Sequence, residues 1–247
     1  MTAHDSTLPP PPASVAALFP ADRVDTAVAY AELLATDGVV RGLIGPREAP
    51  RLWERHVLNC ALLAPAIPPD ARVADIGSGA GLPGVVLAIA RPDVQITLVE
   101  PLLRRTTFLE EAVASLGLTN VVVVRGRADA LHGHAVFDVV TSRAVAPLDR
   151  LLEWSMPLVA PEGALVAMKG SSAPEEVEAA AAVLTRLGCA APEVVTLGED
   201  EALSDVSPIR VVRVTWADPA RVSLPSRPQR GARAPRPSRG RNKRRKS

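Results

Sequence analysis

The fold of this chain is decided at residues 73–84, which read VADIGSGAGLPG. A strand pattern ends at Asp75, and glycines follow it closely. Gly77 and Gly79 would let the backbone turn sharply and approach a ligand, because a Cβ there would fill the ligand's space. The stretch therefore predicts a strand, a ligand-binding turn and a helix. Asp75 is predicted to orient the turn or, through water, a cationic group of the ligand.

Acidic residues after the next two predicted strands extend this site. The strand after the turn ends at Glu100, where a carboxylate can accept both hydroxyl hydrogens of a ribose. After the third predicted strand, Ala128 and Asp129 can offer a backbone amide and a carboxylate to an adenine edge. The sequence thus predicts a nucleoside-shaped cleft at the carboxyl ends of the strands.

Short strand patterns alternate with helical patterns from residue 71 onward, which is typical of βαβ units and a parallel sheet. The predicted strands are Arg72–Asp75, Gln95–Glu100, Asn120–Arg125, Phe137–Ser142, Ala164–Lys169, Glu193–Leu197 and Arg210–Thr215. The predicted helices between them are Gly84–Ala90, Arg104–Leu116, Leu148–Leu158 and Pro174–Leu187. Only a short loop separates the last two strands. We therefore expect an α/β, Rossmann-like fold with a seven-stranded, mostly parallel sheet that ends in an antiparallel hairpin.

The rest of the chain suggests further segments around this domain. A proline run at Pro9–Pro12 lacks apolar periodicity, whereas Asp22–Ala35 and Ala49–Leu63 have helical periodicity. The expected units are a disordered leader at 1–13, an N-terminal helical cap at 14–70, a cofactor-binding domain at 71–217 and a disordered basic tail at 218–247.

The charge of the chain is divided unevenly along its length. The sequence has 28 Lys and Arg and 27 Asp and Glu, but 11 of the basic residues lie from Arg221 to Lys246, after the last acidic residue, Asp218. The part before residue 221 therefore carries a charge of −10 and the rest +11. This division predicts an acidic folded body with a cationic arm that binds RNA through counterion release. The alternative is a solvated segment without a function.

Cysteine usage and hydropathy exclude several classes of protein. Cys60 and Cys189 have neither the number nor the spacing of a disulfide framework, a zinc site or a redox motif. The N-terminus lacks the pattern of a signal peptide, and no run approaches 18 apolar residues. We expect a soluble cytoplasmic protein without a metal or a membrane partner. Nothing in the sequence requires a dimer, so we also expect a monomer.

The glycines also allow a second interpretation. Gly79, Gly81 and Gly84 match the G-x-G-x-x-G pattern of dinucleotide sites, which would indicate a nicotinamide-dependent oxidoreductase. In that register, however, the first glycine lies four residues after Asp75, too far from the strand end for a tight turn. The D-x-G-x-G register places Gly77 against the strand, as S-adenosylmethionine-dependent methyltransferases require. A non-catalytic RNA-binding protein on the same fold would be expected to lose this loop.

Four motifs in order make the chain resemble the RsmG family, also called glucose-inhibited division protein B. They are Leu52-Trp53-Glu54-Arg55-His56 with Asn59, residues 75–84, Arg104-Arg105 with Phe108-Leu109, and Thr141-Ser142-Arg143-Ala144. The similarity extends over about residues 20–215. It implies a class I S-adenosyl-L-methionine-dependent methyltransferase that acts on N7 of guanine 527, in the 530 loop of 16S ribosomal RNA, as free RNA or in the 30S subunit.

The resemblance also implies positions for the cofactor. They are Gly77, Leu82, Ala128, Asp129 and Arg143, with Glu100 as the ribose acid. Asp75 and Gly79 are two further predicted cofactor positions, because they lie at the strand end and in the glycine turn. Family members often have Lys where Arg104 or Arg105 stands, and the basic tail is an addition to the family pattern.

Methylation at guanine N7 makes modest chemical demands. The nitrogen has an in-plane lone pair and no proton at neutral pH, so no general base is needed. The protein need only align the nucleophile, the methyl group and the sulfur, which can contribute up to roughly 7–11 kcal/mol. Arg143 is the predicted catalytic residue, because a planar guanidinium can stack on the base or bond its O6. The alternative is an ion pair of Arg143 with Asp138 or Asp149.

Five basic residues are predicted to contact the RNA substrate. They are Arg55, His56, Arg104, Arg105 and Lys169. Two of them have a simpler alternative: His56 can be a structural hydrogen-bonding residue, and Lys169 a solvated residue at a strand end. Trp53 lies in an apolar helical pattern, which favours a core anchor over a base-stacking platform.

Overall fold

The computed structural model of the protein describes residues 8–200, 203 and 205–222. The β-strands are Arg72–Ile76 (β1), Gln95–Glu100 (β2), Val121–Arg125 (β3), Phe137–Arg143 (β4), Val159–Lys169 (β5), Glu193–Leu197 (β6) and Ile209–Val214 (β7). The α-helices are Val15–Leu18 (α1), Val24–Leu33 (α2), Leu58–Ala61 (α3), Gly84–Ala90 (α4), Leu103–Ser115 (α5), Leu148–Ser155 (α6), Ala173–Ala179 (α7) and Ala181–Leu187 (α8). Within these residues, no helix combines the length and the apolar character needed to cross a membrane.

The strands form one sheet in the order β3-β2-β1-β4-β5-β7-β6. Strands β1 to β5 are parallel, and β7 runs antiparallel to both β5 and β6. This arrangement confirms the predicted seven-stranded sheet and its terminal hairpin. The chain leaves β1 towards β2 on one side, whereas β4 lies on the other side. The order of strands therefore reverses between β1 and β4, and such a point leaves a crevice at the carboxyl ends of the strands.

Two of the predicted helices differ from the structure in detail. The helix predicted at Pro174–Leu187 is two helices, α7 and α8, which meet at Ala180. The helix predicted at Leu148–Leu158 ends as α6 at Ser155 and continues as a 3-10 turn over Met156–Leu158, where Pro157 interrupts the regular helix.

The N-terminal cap is built from short irregular pieces. Helix α2 lies between a 3-10 turn at Ala21–Arg23 and a π-helical turn at Leu34–Gly38. The second predicted cap helix consists of a 3-10 segment at Pro46–Arg51, a π-helical turn at Trp53–Val57 and α3. Apolar side chains of these pieces still point inward, as the periodicity predicted.

The cap packs directly on one face of the sheet. Buried residues of both parts form one hydrophobic cluster, which joins Tyr30 and Leu58 of the cap to Leu87 and Ile96 of the sheet layers. The Tyr30 hydroxyl donates a 2.8 Å hydrogen bond to the carbonyl of Ala80, in the glycine turn. The cap therefore restrains the glycine turn through this hydrogen bond.

The predicted leader contacts the cap at two residues, Leu8 and Pro9. The Trp53 indole donates a 3.1 Å hydrogen bond to the carbonyl of Pro9, and Leu8 packs against the core. A buried indole N–H needs an acceptor, and this proline segment supplies it. Leu8 and Pro9 thus contact the cap, whereas Pro10, Pro11 and Ala13 are exposed, and Trp53 is confirmed as a core anchor.

The predicted basic tail begins with a short ordered turn. Asp218 accepts a hydrogen bond from the amide of Ala220 and caps a 3-10 turn at Pro219–Arg221. This capped turn lies at the start of the predicted tail. Residues 1–7 of the predicted leader and 223–247 of the predicted tail lie outside the described residues.

Candidate active site

A cleft of about 710 Å³ opens at the carboxyl ends of β1, β2 and β4, as predicted. We call it the main cleft. The predicted site residues that line it are Gly77, Gly79, Leu82, Glu100, Arg105, Ala128, Asp129, Arg143 and His56. Asp75, Arg55 and Arg104 do not line it. The main cleft has the size of an ordinary small-molecule site.

The glycine turn that forms the floor of the cleft requires glycine for two different reasons. Gly77 has a φ of +71°, and a Cβ there would lie 2.8 Å from Cγ2 of Val145. Gly79 has a φ of +59°, but the nearest atom to an added Cβ would be the Gly77 carbonyl oxygen at 3.8 Å. Gly77 is therefore needed for packing, and Gly79 leaves open space at the wall of the cleft.

Asp75 is buried beneath this turn. Its Oδ2 accepts a 3.0 Å hydrogen bond from the amide of Gly84 at the start of α4, while its Oδ1 has no hydrogen-bond partner among the described residues. Burial raises the pKa of Asp75 to about 7, and the Glu100 charge adds to this effect, whereas the Gly84 amide and the Ser78 hydroxyl act to lower the pKa. The carboxylate thus links β1 to α4 across the turn, and one oxygen remains unsatisfied.

Glu100 has a structural contact that the sequence reasoning did not predict. Its side chain is 1% exposed, and its two oxygens accept hydrogen bonds from the amides of Gly79 at 3.1 Å and Leu102 at 3.0 Å. The Arg105 guanidinium lies 3.4 Å from the same carboxylate. Glu100 therefore ties the glycine turn to the start of α5 besides lining the cleft.

The far wall of the cleft follows β3. Ala128 and Asp129 begin a 3-10 turn after the strand and line the cleft, as predicted. Trp154 of α6 also lines it, and the guanidinium of Arg127 lies 6.0 Å from the centre of its ring. Trp154 was not among the residues predicted from sequence. Its amphipathic helix was the available signal, but that pattern alone did not separate a cleft residue from a core residue.

Arg143 at the end of β4 is held by the cap. Its Nη2 donates hydrogen bonds to the Arg55 carbonyl at 2.9 Å and to Nδ1 of His56 at 2.8 Å, and its Nη1 lies 3.4 Å from Sγ of Cys60. In the part of the chain that the structure describes, Arg143 forms no ion pair with Asp138 or Asp149. The ion-pair alternative is therefore wrong.

His56 has a second partner. Its Nε2 lies 3.0 Å from Oε2 of Glu48, a residue that the sequence reasoning did not single out. Burial and the Arg143 charge lower the pKa of His56, and the hydrogen bond to Glu48 opposes them. The structural alternative for His56 thus fits the geometry, although the side chain also lines the main cleft.

A second cavity of about 990 Å³ adjoins the main cleft, and we call it the side cavity. Arg143, Ala144 and Val145 line both spaces, so this loop is the wall between them. Ala144 has a φ of +53°, which marks a sharp turn directly after β4. Such strained backbone is concentrated at functional sites.

Lys169 of β5 lines the side cavity and is paired rather than solvated. Its side chain is 9% exposed, and Nζ donates to Oε2 of Glu176 at 2.7 Å and to the Ala146 carbonyl at 2.8 Å. Arg55 and Arg104 are exposed and line neither space. Residues 8–200, 203 and 205–222 contain no group of three His, Cys, Asp or Glu side chains that could hold a metal ion.

The sheet order and the cleft at its switch point are those of the class I S-adenosylmethionine-dependent methyltransferases. One solved structure with this fold is a SAM-dependent O-methyltransferase of Thermotoga maritima. The TM-score is 0.50 at 13% sequence identity, and the alignment covers 64% of this chain and 65% of that chain. At this identity the likeness concerns the fold.

The sequence places the chain in a particular family of that class. The family model described as GidB, rRNA small subunit methyltransferase G, matches residues 23–204, and the chain belongs to this family. A relative in a Nocardioides species, named Ribosomal RNA small subunit methyltransferase G, is 68% identical over 208 residues, covering 84% of this chain and 82% of the relative. A Salinispora tropica relative of the same name is 56% identical over 237 residues, covering 92% and 97%.

This membership confirms the resemblance drawn from the four motifs. The chain is an enzyme of a methyltransferase family. The oxidoreductase and the non-catalytic RNA-binding protein, which were the two alternatives, are both contradicted by it. The register that starts at Gly77 was therefore the correct interpretation of the glycines.

Proposed function

We propose that this protein transfers a methyl group from S-adenosylmethionine to N7 of guanine 527 in the 530 loop of 16S ribosomal RNA. The observation that carries the proposal is the similarity to relatives named Ribosomal RNA small subunit methyltransferase G over most of their length. The intact glycine turn and the cleft beside it support the same function.

The residues of the main cleft fit this cofactor. The unpartnered Oδ1 of Asp75 is a buried acceptor under the turn, which suits a water-mediated contact with a cationic amino group. Open space at Gly79 admits a ligand close to the backbone. We assign Glu100 to the ribose, Ala128 and Asp129 to the adenine edge, and Gly77, Leu82 and Arg143 to the remaining contacts. When bound, the cofactor supplies an activated methyl group.

The chain's own residues then have to orient the acceptor base and exclude water. Guanine N7 attacks through its lone pair, so no side chain has to remove a proton. Arg143 lies at the wall between the two cavities, where a guanidinium can bond O6 or stack on the ring. Because its orientation is fixed, Arg143 can align the guanine base with the methyl group of S-adenosylmethionine. We therefore propose Arg143 as the catalytic residue and the side cavity as the place of the guanosine.

Basic residues around the two spaces are suited to the RNA backbone. Arg105 borders the main cleft and Lys169 the side cavity, whereas Arg55 and Arg104 are exposed and can reach phosphates outside. We propose these four as RNA contacts, and His56 as a cleft residue beside them. We also propose a monomer that acts on cytoplasmic ribosomes, with residues 14–70 as the cap and 71–217 as the catalytic domain.

Methyl transfer to small subunits tests the proposal directly. The substrate is 30S subunits, or 16S RNA, from a strain that lacks methylation in the 530 loop, because a methylated guanine accepts no second group. After incubation with radiolabelled S-adenosylmethionine, chain cleavage at 7-methylguanosine locates the label. We expect one labelled guanine in the 530 loop, and none with Arg143→Ala. Label at another nucleotide, or none despite cofactor binding, would contradict the proposed substrate.

A further inference from the structure

We propose that His56 and Glu48 are positioning residues, which act together to fix the Arg143 guanidinium at the wall between the main cleft and the side cavity. This inference rests on the proposed function, because it assigns Arg143 to the orientation of the acceptor base. It changes the role of His56 from RNA contact to support of Arg143. It also gives a role to Glu48 in the 3-10 segment Pro46–Arg51.

The hydrogen bonds determine which nitrogen of His56 carries the proton. An arginine side chain only donates, so Nδ1 of His56, 2.8 Å from Nη2 of Arg143, must be the acceptor. The proton of a neutral imidazole is then on Nε2, which faces Oε2 of Glu48 at 3.0 Å. Glu48 accepts from this side and selects the tautomer that Arg143 requires.

The contacts leave Arg143 little freedom of orientation. Nη2 has two hydrogens, and both are used, one by His56 and one by the Arg55 carbonyl. Nη1 directs a third contact to the Cys60 thiol, whose pKa burial raises to about 11, so that the thiol is neutral. The cap thus holds one edge of the guanidinium and leaves its other hydrogens for the site.

The charges around His56 favour its neutral form. Arg143 faces it from β4, and Arg55 lies on its own π-helical turn; both charges lower the pKa of His56 after burial, the largest cause. Glu48, in the 3-10 segment of the cap, raises the pKa of His56. The charges of Arg55 and Arg51 in turn lower the pKa of Glu48. The other charged groups that line the same cleft are Glu100, Arg105, Arg127 and Asp129.

Protonation of His56 would remove this support. A proton on Nδ1 replaces the acceptor by a donor and places an imidazolium against the guanidinium. The attack by guanine N7 involves no proton transfer. A fall in the methyl-transfer rate at acid pH that depends on His56, which we call its acid limb, would therefore report the loss of Arg143 alignment. Asp75 also titrates in this range, and only a comparison of variants separates the two groups.

The test measures the single-turnover rate of 30S methylation between pH 5 and pH 8 for the full chain and three variants. His56→Ala removes the acceptor, and we expect a rate lower by roughly tenfold to a hundredfold above the acid limb, with the difference narrowing at lower pH as His56 of the unmodified protein becomes protonated. His56→Asn keeps an acceptor near Nδ1 that does not titrate, so it should recover part of that rate and lose the acid limb of His56. Glu48→Gln keeps a hydrogen-bond acceptor without the charge, so the midpoint of the limb should move to lower pH.

Two results would overturn the inference: an acid limb in His56→Asn equal to that of the unmodified protein, or a limb in Glu48→Gln that moves to higher pH. A measurement independent of activity is the ¹⁵N spectrum of His56, where we expect the neutral tautomer with the proton on Nε2. A proton on Nδ1 would also overturn it. If the tautomer is as expected but no 30S methylation occurs at any pH, the proposed substrate fails and the Glu48–His56–Arg143 link stands.

Discussion

The buried carboxylate of Asp75 has two roles, one in the structure of the glycine turn and one in ligand binding. One oxygen holds the Gly84 amide, and the other has no partner among the described residues. An unsatisfied buried acceptor of this kind is costly. It is tolerable in a binding site, where the charge that destabilises the empty protein attracts the cationic part of the ligand. We therefore expect a neutral replacement of Asp75 to have opposite effects on the stability of the protein and on its affinity for the cofactor.

Asp75→Asn tests this opposition. The folded-state pKa is about 7 against an ordinary value of 3.8, so the folded protein retains a proton that the unfolded chain loses as the pH rises between these values. The stability that Asp75 contributes by staying protonated is present at pH 4 and is lost by about pH 7. The asparagine has no such dependence, so the free energy of unfolding of the variant relative to the unmodified protein should rise by up to about 4 kcal/mol from pH 4 to pH 8.

Urea unfolding at several pH values measures this difference, and calorimetry measures S-adenosylmethionine affinity. We expect the affinity to fall at least tenfold while the variant becomes relatively more stable at pH 8. A stability difference that is the same at all pH values would show that Asp75 titrates normally.

Glu100→Ala is expected to affect both cofactor binding and the fold. The carboxylate lines the cleft and also accepts hydrogen bonds from the amides of Gly79 and Leu102. Leaving these amides without an acceptor should lower the free energy of unfolding by roughly 1–3 kcal/mol. Calorimetry should show weaker S-adenosylmethionine binding, and unchanged affinity would remove Glu100 from the cofactor site. Arg105→Ala is the control, because it removes the ion pair with Glu100 and leaves the hydrogen bonds from the amides of Gly79 and Leu102 in place.

The turn between β1 and α4 is the element that forms the site. Gly79→Ala keeps the packing of the turn but places a methyl group in the open space beside the cleft, at a φ of +59°. The left-handed backbone should cost roughly 1–2 kcal/mol of stability. The methyl group should lower S-adenosylmethionine affinity in addition, because it occupies the ligand's space.

Gly133→Ala is the matched control for this element. Gly133 has a φ of +73°, nothing lies within 4 Å of an added Cβ, and it lines neither cavity. Both variants should lose similar stability in urea unfolding, but only Gly79→Ala should lose affinity in calorimetry. Equal affinities would mean that Gly79 matters to the backbone alone.

The strands and the glycine turn were predictable from sequence because their signals are local. β2 and β6 have the predicted bounds, and the other strands contain nearly all of the residues predicted for them. The cap was harder, because π-helical and 3-10 turns keep a helical periodicity while they change which side chains meet. Trp53–Val57 is such a turn, and it determines where His56 faces.

The contacts that join the cap to the sheet could not be derived from local patterns. Arg143 and His56 are 87 positions apart, and Glu48 is linked to Arg143 through the imidazole. The main-cleft residues could be predicted because the carboxyl ends of neighbouring parallel strands must meet. The direction of the Arg143 guanidinium depends instead on how two separately patterned parts pack together.

At the scale of the whole molecule, the charge asymmetry requires an explanation. The part before residue 221 carries a charge of −10, which is unfavourable for an enzyme that we propose binds RNA. The basic residues after it offer the compensating attraction. We therefore expect the C-terminal tail to supply much of the non-specific affinity for RNA, while the cleft supplies the choice of nucleotide.

Truncation after Val222 tests this division while retaining the turn capped by Asp218. The change removes 10 of the 28 basic residues, and the slope of log affinity against log salt should fall by about 0.7–0.9 for every phosphate that the tail neutralises. The slope for 16S RNA should therefore become less steep, with S-adenosylmethionine affinity unchanged. A full-length variant with those ten residues replaced by Gln should behave like the truncation, because charge rather than length carries the effect. An unchanged salt slope in both variants would mean that the attraction comes from the exposed arginines around the cleft, and that the acidic body binds RNA without the tail.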